Sequence, residues 1–184
     1  MGNIFKRTRR RFYFRLRGRI FILILAATIV FTMIPVLYGS DDTAIDGADI
    51  VEMAGSQIGN AGGMKFWRWY GFDEPIDWCG CFVSWGADRC GYIEKGKAPK
   101  FSYCQDGVSW FISHKGWSDR MIAPQRGMTV FFDWDGNGIS DHAGIVKECK
   151  AGIVYTIEGD SGNMCRERSY KVGDSCILGY GSQR

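Results

Sequence analysis

Asp77-Trp78-Cys79-Gly80-Cys81-Phe82-Val83-Ser84-Trp85 puts a thiol where a helix can begin. From Cys79 the small or apolar residues Phe82, Val83, Gly86 and Cys90 recur at the spacing of one buried helical face. Asp77 stands where a capping carboxylate would accept the first backbone N–H groups. A thiol at such an end feels the positive pole of the helix dipole, which favours the nucleophilic thiolate. Cys81 is the rival nucleophile. Two residues turn a helix by about 200°, so Cys79 and Cys81 cannot both face one base.

The base must be a histidine, and the chain has two. His142 lies in Ser140-Asp141-His142-Ala143-Gly144-Ile145-Val146, which reads as a strand, whereas His114 stands beside Lys115 as a solvated surface residue. The stretch from His142 to Glu158 reads as a hairpin with Cys149-Lys150-Ala151 as its loop. That register sets Glu158 opposite His142, with Cβ atoms roughly 4.5–5.5 Å apart. A carboxylate there would hold the second imidazole nitrogen and favour the imidazolium. Asp160, two residues on, shares the face of Glu158.

These residues need a scaffold. Ala44–Ile58 reads as a helix with Ala48, Val51, Ala54 and Ile58 on one side, ended by Gly59-Asn60-Ala61-Gly62-Gly63. The aromatic run Phe66–Phe72 leads into the Cys79 helix, and residues 104–114 suggest a third. After Pro124 the segments Met128–Phe132, His142–Glu148, Ile153–Ile157 and Ile177–Tyr180 read as strands between Gly-rich turns. Helices first and strands after predict an α+β domain, its N-terminal helices packed on an antiparallel sheet.

Upstream of residue 47 the chain changes character. Residues 1–19 carry eight Lys or Arg and no acid, and residues 20–38 carry no charge. Nineteen helical residues span roughly 28 Å, about one bilayer, which predicts a transmembrane signal-anchor. The basic tail would stay cytoplasmic, with 39–46 as a linker and 47–184 as an extracellular domain on a single-pass chain in the cell membrane. A cleaved signal peptide is the alternative, although its apolar core would be shorter and Val36–Ser40 offers no good cleavage site. The apolar segment accounts for the basic run, so no nucleic-acid partner is expected. The net charge of +3 hides this asymmetry: beyond residue 19, 15 basic residues face 20 acidic ones. That mildly acidic balance does not mark a polyanion binder.

All seven cysteines follow the apolar segment. One nucleophile leaves six, enough for three disulfides, and an odd count hints at a free thiol. Zinc is disfavoured, because Cys79-x-Cys81 has the wrong spacing and no second ligand pair appears. Asp133-Trp134-Asp135-Gly136-Asn137-Gly138, with Asp141 downstream, fits the opening of a calcium loop. Gly144 stands where such a loop needs its bidentate carboxylate, and a Gly-rich turn with solvated acids is the alternative. Trp67, Trp69 and Trp78 are candidate substrate-stacking residues, set against a core role; Trp85 reads as core.

Cysteine first, then a histidine on a downstream strand, is the order of a papain-like thiol hydrolase. At these residues the chain resembles the CHAP family, the cysteine- and histidine-dependent amidohydrolases/peptidases of the NlpC/P60 superfamily. The likeness covers most of residues 47–182, through Ile50-Val51-Glu52, Gln57-Ile58-Gly59, Trp67–Phe72, Trp78–Trp85, Met128–Phe132, Asp141–Val146 and Thr156–Asp160. It implies a papain-like fold in which Cys79 is nucleophile, His142 general base and Glu158 the orienting acid. The family commonly has Asn where this chain has Asp160, an acceptor that cannot donate while ionised. The implied activity is cleavage of an amide bond in peptidoglycan, as N-acetylmuramoyl-L-alanine amidase or endopeptidase, with no cofactor required beyond a candidate calcium. The alternatives are a catalytically silent wall-binding or assembly module, and acyl transfer to an amine instead of water.

Overall fold

The structure, a computed structural model, describes residues 47–183. The expected basic tail, membrane anchor and linker lie outside the described residues. Among the described residues no helix is long and apolar enough to cross a membrane. The fold class is corrected accordingly: among the described residues it is an α+β domain with an antiparallel sheet, and no transmembrane helix is part of it.

Four helices precede six strands among the described residues. Helix α1 (Gly47–Gly55) buries Ile50, Val51 and Ala54, which fall on one face at helical spacing. Helix α2 (Met64–Tyr70), read only as an aromatic run, buries Phe66 and Trp67. It is entered through Gly63 at φ 58°, and a side chain there would collide with the Trp78 ring. Helix α3 (Cys79–Arg89) is buried along its first nine residues, Cys79 to Ala87. Gly86 lets it approach Ile50 of α1 and Ile145 of the sheet. Helix α4 (Cys104–Ser113) buries Val108 and Phe111.

The strands are β1 (Trp117–Asp119), β2 (Thr129–Phe132), β3 (His142–Lys150), β4 (Ile153–Glu158), β5 (Arg166–Lys171) and β6 (Ile177–Gly181). They form one antiparallel sheet in the order β1-β6-β2-β3-β4-β5. Alternation along the strands splits the core. Phe131, Ala143, Ile145 and Ile157 pack with the helices, while Val130, Phe132, Val146, Val154, Ile177 and Tyr180 form a second cluster. Both end strands, β1 and β5, escape the sequence reading. β1 has three residues, and β5 is Arg-Glu-Arg-Ser-Tyr-Lys, charged as an exposed edge strand should be.

The β3–β4 hairpin differs from expectation in an instructive way. Its loop is Ala151-Gly152, both at positive φ (52° and 75°), the pattern of a tight two-residue hairpin turn, not Cys149-Lys150-Ala151. Near the turn Cys149 faces Val154 and Glu148 faces Tyr155. A bulge then leaves Lys147 without an opposite number, and Val146 faces Thr156 and Ile145 faces Ile157. Continued, this register puts Gly144, not His142, opposite Glu158. His142 and Glu158 are thus diagonal neighbours on one face. The bulge restores that shared face, because an unbulged continuation would set Glu158 opposite Ile145 and turn it away from His142.

Gly144 is what lets the diagonal close. A Cβ on it would stand 2.7 Å from Glu158 Cγ and 3.2 Å from the Ile157 carbonyl. Gly144→Ala should therefore destabilise the domain by about 1–3 kcal/mol, the range for forced overpacking. Urea unfolding measures it, and a variant as stable as the parent would show that Glu158 has room to move.

Candidate active site

Cys79 is the first residue of α3, and the cap residue before it is Trp78. No side chain of the cap itself, nor Asp77, holds this end; Asp77 is exposed. The acceptor comes instead from beyond β4, where Asp160 Oδ2 takes the Trp78 N–H at 2.9 Å. Trp78 is itself fixed by stacking on Phe66 (5.3 Å between centroids, 15° between planes) and by an indole N–H bond to Asn163 Oδ1.

The Cys79 sulfur meets three groups. Cys104 Sγ lies 3.5 Å away, His142 hydrogen-bonds to it, and the Ala143 backbone N–H adds another bond. His142 Nε2 is 3.1 Å from Glu158 Oε2, which leaves Nδ1 for the sulfur. Glu158 is 1% exposed. Its other oxygen accepts the Thr156 hydroxyl at 2.6 Å, and the Tyr170 hydroxyl also bonds the carboxylate. Ser140 braces the entry to β3: its hydroxyl lies 3.1 Å from the Phe132 and His142 carbonyls, and its N–H bonds Gln105 Oε1.

These contacts set the protonation states. The Cys104 S–H that Cys79 accepts holds the Cys79 thiol well below its ordinary range, against the pull of burial, and the bond and charge of His142 reinforce it. Cys104 is pushed up, first because it keeps its proton to donate to Cys79 and then by burial. Burial opposes the imidazolium of His142, but the bonds and charges of Cys79 and Glu158 outweigh it and push His142 up to about 10. Both shifts favour the thiolate–imidazolium form of the pair. Burial pushes Cys81 up to about 12, and its side chain is fully covered, so Cys81 presents no thiolate.

A match to the CHAP domain spans residues 69–160, half of the chain, from Trp69 through Asp160. The chain belongs to the CHAP domain family. No curated protein matches it significantly. Among solved structures this CHAP domain is similar to Ly7917, crystallised with the hydrolyzing product of MDP, at 15% identity and a TM-score of 0.49 over 75% of this chain and 63% of that one. It is also similar to NlpC1 from Trichomonas vaginalis, at 13% identity and a TM-score of 0.46 over 78% of this chain and 46% of that one. The chain spans less than two thirds of either.

The CHAP domain thus brings Cys79, His142 and Glu158 together, with Asp160 one contact removed. Other candidates fall elsewhere. Trp67 and Trp78 are core residues, each nearly enclosed, and cannot stack on a substrate. Trp69 is half-buried, with Lys100 Nζ 4.8 Å above its ring. Asp133, Asp135 and Asp141 gather their carboxylates within 4.8 Å of one another, a donor set of calcium type. The chain's own N–H groups already occupy much of it. Asp133 accepts Gly136, Asn137 and Gly138; Asp141 accepts Trp134; the Asn137 side chain accepts Ile139. The Gly138 N–H above all holds the Asp133 carboxyl below its usual range.

Three contributors escape the sequence reading. Cys104 appears there only as a cysteine for pairing; Gly80 is its hidden signal, since a side chain at Gly80 would strike the Ser102 carbonyl. That close passage carries Cys104 to the nucleophile. Tyr170 sits on the unread edge strand. Trp134 looks like part of a loop, yet the residue is 51% exposed and its ring stacks on Phe132 at 4.9 Å and 5°, with the His142 ring 6.3 Å away. Cys79, Cys81, Cys104, Cys149, Cys165 and Cys176 are free thiols, so the three-disulfide framework weighed from the cysteine count does not form among the described residues.

The sign of the pH dependence follows. A depressed thiol pKa means the thiolate persists as pH falls below the ordinary thiol range and disappears only below the depressed value. Iodoacetamide should alkylate Cys79 rapidly at neutral pH. Glu158→Gln removes charge that supports the imidazolium, so the Cys79 alkylation profile should move toward alkaline pH. An unmoved profile would mean that Glu158 does not tune the pair.

Proposed function

We propose that this CHAP domain is a peptidoglycan hydrolase that cleaves an amide bond by a Cys79–His142–Glu158 thiol mechanism. The observation that carries the reading is a cysteine at a helix start against a histidine whose Nε2 is held by a buried carboxylate. A module that only binds wall would not need this arrangement, which costs a buried charge. The cysteine dependence and the wall substrate are inferred from site chemistry and family together. A wall substrate also places the work of the domain outside the cytoplasm.

The Cys79 thiolate attacks the amide carbonyl, and the resulting oxyanion is met by first-turn N–H groups of α3, which have no partner within the helix. His142 passes its Nδ1 proton to the leaving amine, and an acyl-enzyme on Cys79 remains. Neutral His142 then takes a proton from water, which attacks the thioester and releases the acid. Glu158 keeps the ring oriented throughout and compensates its positive charge. Asp160 works through Trp78, as a positioning residue for the start of α3. Trp134, flat and open beside His142, forms a wall of the substrate groove.

Purified chain should release soluble fragments from cell walls, and Cys79→Ala should fall to background. Equal release by both would remove the thiol mechanism. Release by neither, with wall binding kept, would favour the silent module. Mass spectrometry of the fragments identifies the scissile bond and separates hydrolysis from acyl transfer to an amine. Trp134→Ala should raise KM about 5–10-fold with kcat nearly kept, as expected for losing up to ~1.4 kcal/mol of stacking. A drop in kcat alone would place Trp134 in support of His142 instead.

A further inference from the structure

We propose that Cys79 and Cys104 close into a reversible disulfide that switches the site off and shields the nucleophile from irreversible oxidation, with hydrogen peroxide as the oxidant. This inference rests on Cys79 being the reactive thiolate of the site above. The two sulfurs are 3.5 Å apart, already in contact, and a bond of about 2.05 Å needs only a further ~1.5 Å of approach. Cys104 is in the first turn of α4, and the passage of Ser102 against Gly80 fixes that turn beside the start of α3.

The fold also selects the partner. Cys81 lies on the same helix, turned about 200° from Cys79. Cys90 ends α3, and Cys165 is held near Asn60, whose carbonyl its N–H meets at 2.8 Å. Cys149 and Cys176 pack against the second cluster, away from the helical layer. Cys104 alone among them has its sulfur against that of Cys79.

The chemistry balances without another reagent. The Cys79 thiolate attacks one peroxide oxygen; an S–O bond forms, the O–O bond breaks, and the departing hydroxide takes a proton to become water. Cys79 is now a sulfenic acid, and peroxide has been reduced. The Cys104 sulfur attacks it, the S–S bond forms, the S–O bond breaks, and the leaving hydroxide carries off the Cys104 proton as a second water. A thiol reductant reverses the bond by exchange and returns both thiols. Without Cys104 the sulfenic acid persists and further peroxide drives it to sulfinic acid, from which thiols do not rescue it.

The full chain, reduced and freed of reductant, is treated with hydrogen peroxide, blocked with N-ethylmaleimide and digested with trypsin. Cleavage at Arg89 separates Cys79 from Cys104, and fragmentation distinguishes Cys79 from Cys81. The expected product is a Cys79–Cys104 linked peptide, formed in parallel with loss of iodoacetamide reactivity at Cys79 and reversed by dithiothreitol. Cys104→Ser should instead accumulate sulfinic acid at Cys79 and not recover. A Cys79 peptide linked to another cysteine, or sulfinic acid in the parent chain without any link, would overturn the proposal. So would full dithiothreitol recovery of Cys104→Ser. The parent map decides even if that variant does not fold. None of these readouts needs wall cleavage, so a failure of the hydrolase reading stays distinguishable from a failure of the switch.

Discussion

A carboxylate with 1% exposure is the constraint around which this domain is arranged. An ionised Glu158 loses its water on folding, a cost of several kcal/mol unless the protein returns equivalent bonds. Three side chains return them: His142 Nε2 on one oxygen, Thr156 on the other, and the Tyr170 hydroxyl on the carboxylate. They come from β3, β4 and β5, so the charge sits where three neighbouring strands share one face. The strand alternation that supplies them depends on the Lys147 bulge, and the room for the side chain depends on Gly144. Charge burial, register and a missing Cβ are therefore one requirement met three ways.

The same economy governs the sulfur. Cys79 is almost fully enclosed, and enclosure by itself would keep it a protonated, inert thiol. Its reactivity comes from neighbours that cancel the burial: the Cys104 S–H, the His142 imidazolium and the Ala143 N–H, with the helix end adding its dipole. The first two titrate, and each depends on the charge of Cys79. Against burial, Cys79 and Glu158 together push His142 up, and Cys79 also pushes Cys104 up. The site behaves as one unit with a shared charge distribution, not as three independent residues.

What the sequence conveys about this unit follows the range of the forces involved. Local signals read well: helical spacing from Cys79, β-rich runs at 128–132 and 153–157, and charges that fit no core. The helices-then-strands order correctly implies an α+β domain with an antiparallel sheet. Register reads poorly, because one bulge at Lys147 moves every later pair, and nothing local to Lys147 announces it. The hairpin reading nevertheless brings His142 and Glu158 to one face, for a different reason than the real one: two odd displacements, a two-residue turn and a bulge, restore the parity. Burial of individual aromatics reads worst. Trp67 and Trp78 are as aromatic as Trp134, and only the close passages at Gly63 and Gly159 reveal that Trp78 is packed inside. Cys104 belongs to the same class, a contact made by a distant loop.

Glu158-Gly159-Asp160 shows how the two layers are kept in step. Glu158 holds the base on the sheet. Gly159 leaves space for Phe82 and Trp78, because a Cβ there would meet the Phe82 side chain at 2.5 Å. Asp160, at φ 61°, turns its carboxylate back to the Trp78 N–H, one residue before the nucleophile. Three successive residues thus tie imidazole, helix packing and helix start into a single rigid piece. An acid can therefore stand here in place of the amide that the resemblance to the family implies. The Trp78 N–H asks only for an acceptor, which a carboxylate supplies as well as an amide oxygen does. The acid carries a penalty, since burial first and the nearby Cys79 charge after it raise the Asp160 pKa, while the Trp78 N–H lowers it. The bond this carboxylate makes is to the start of the nucleophile helix, so what the structure shows of Asp160 is where it holds the chain.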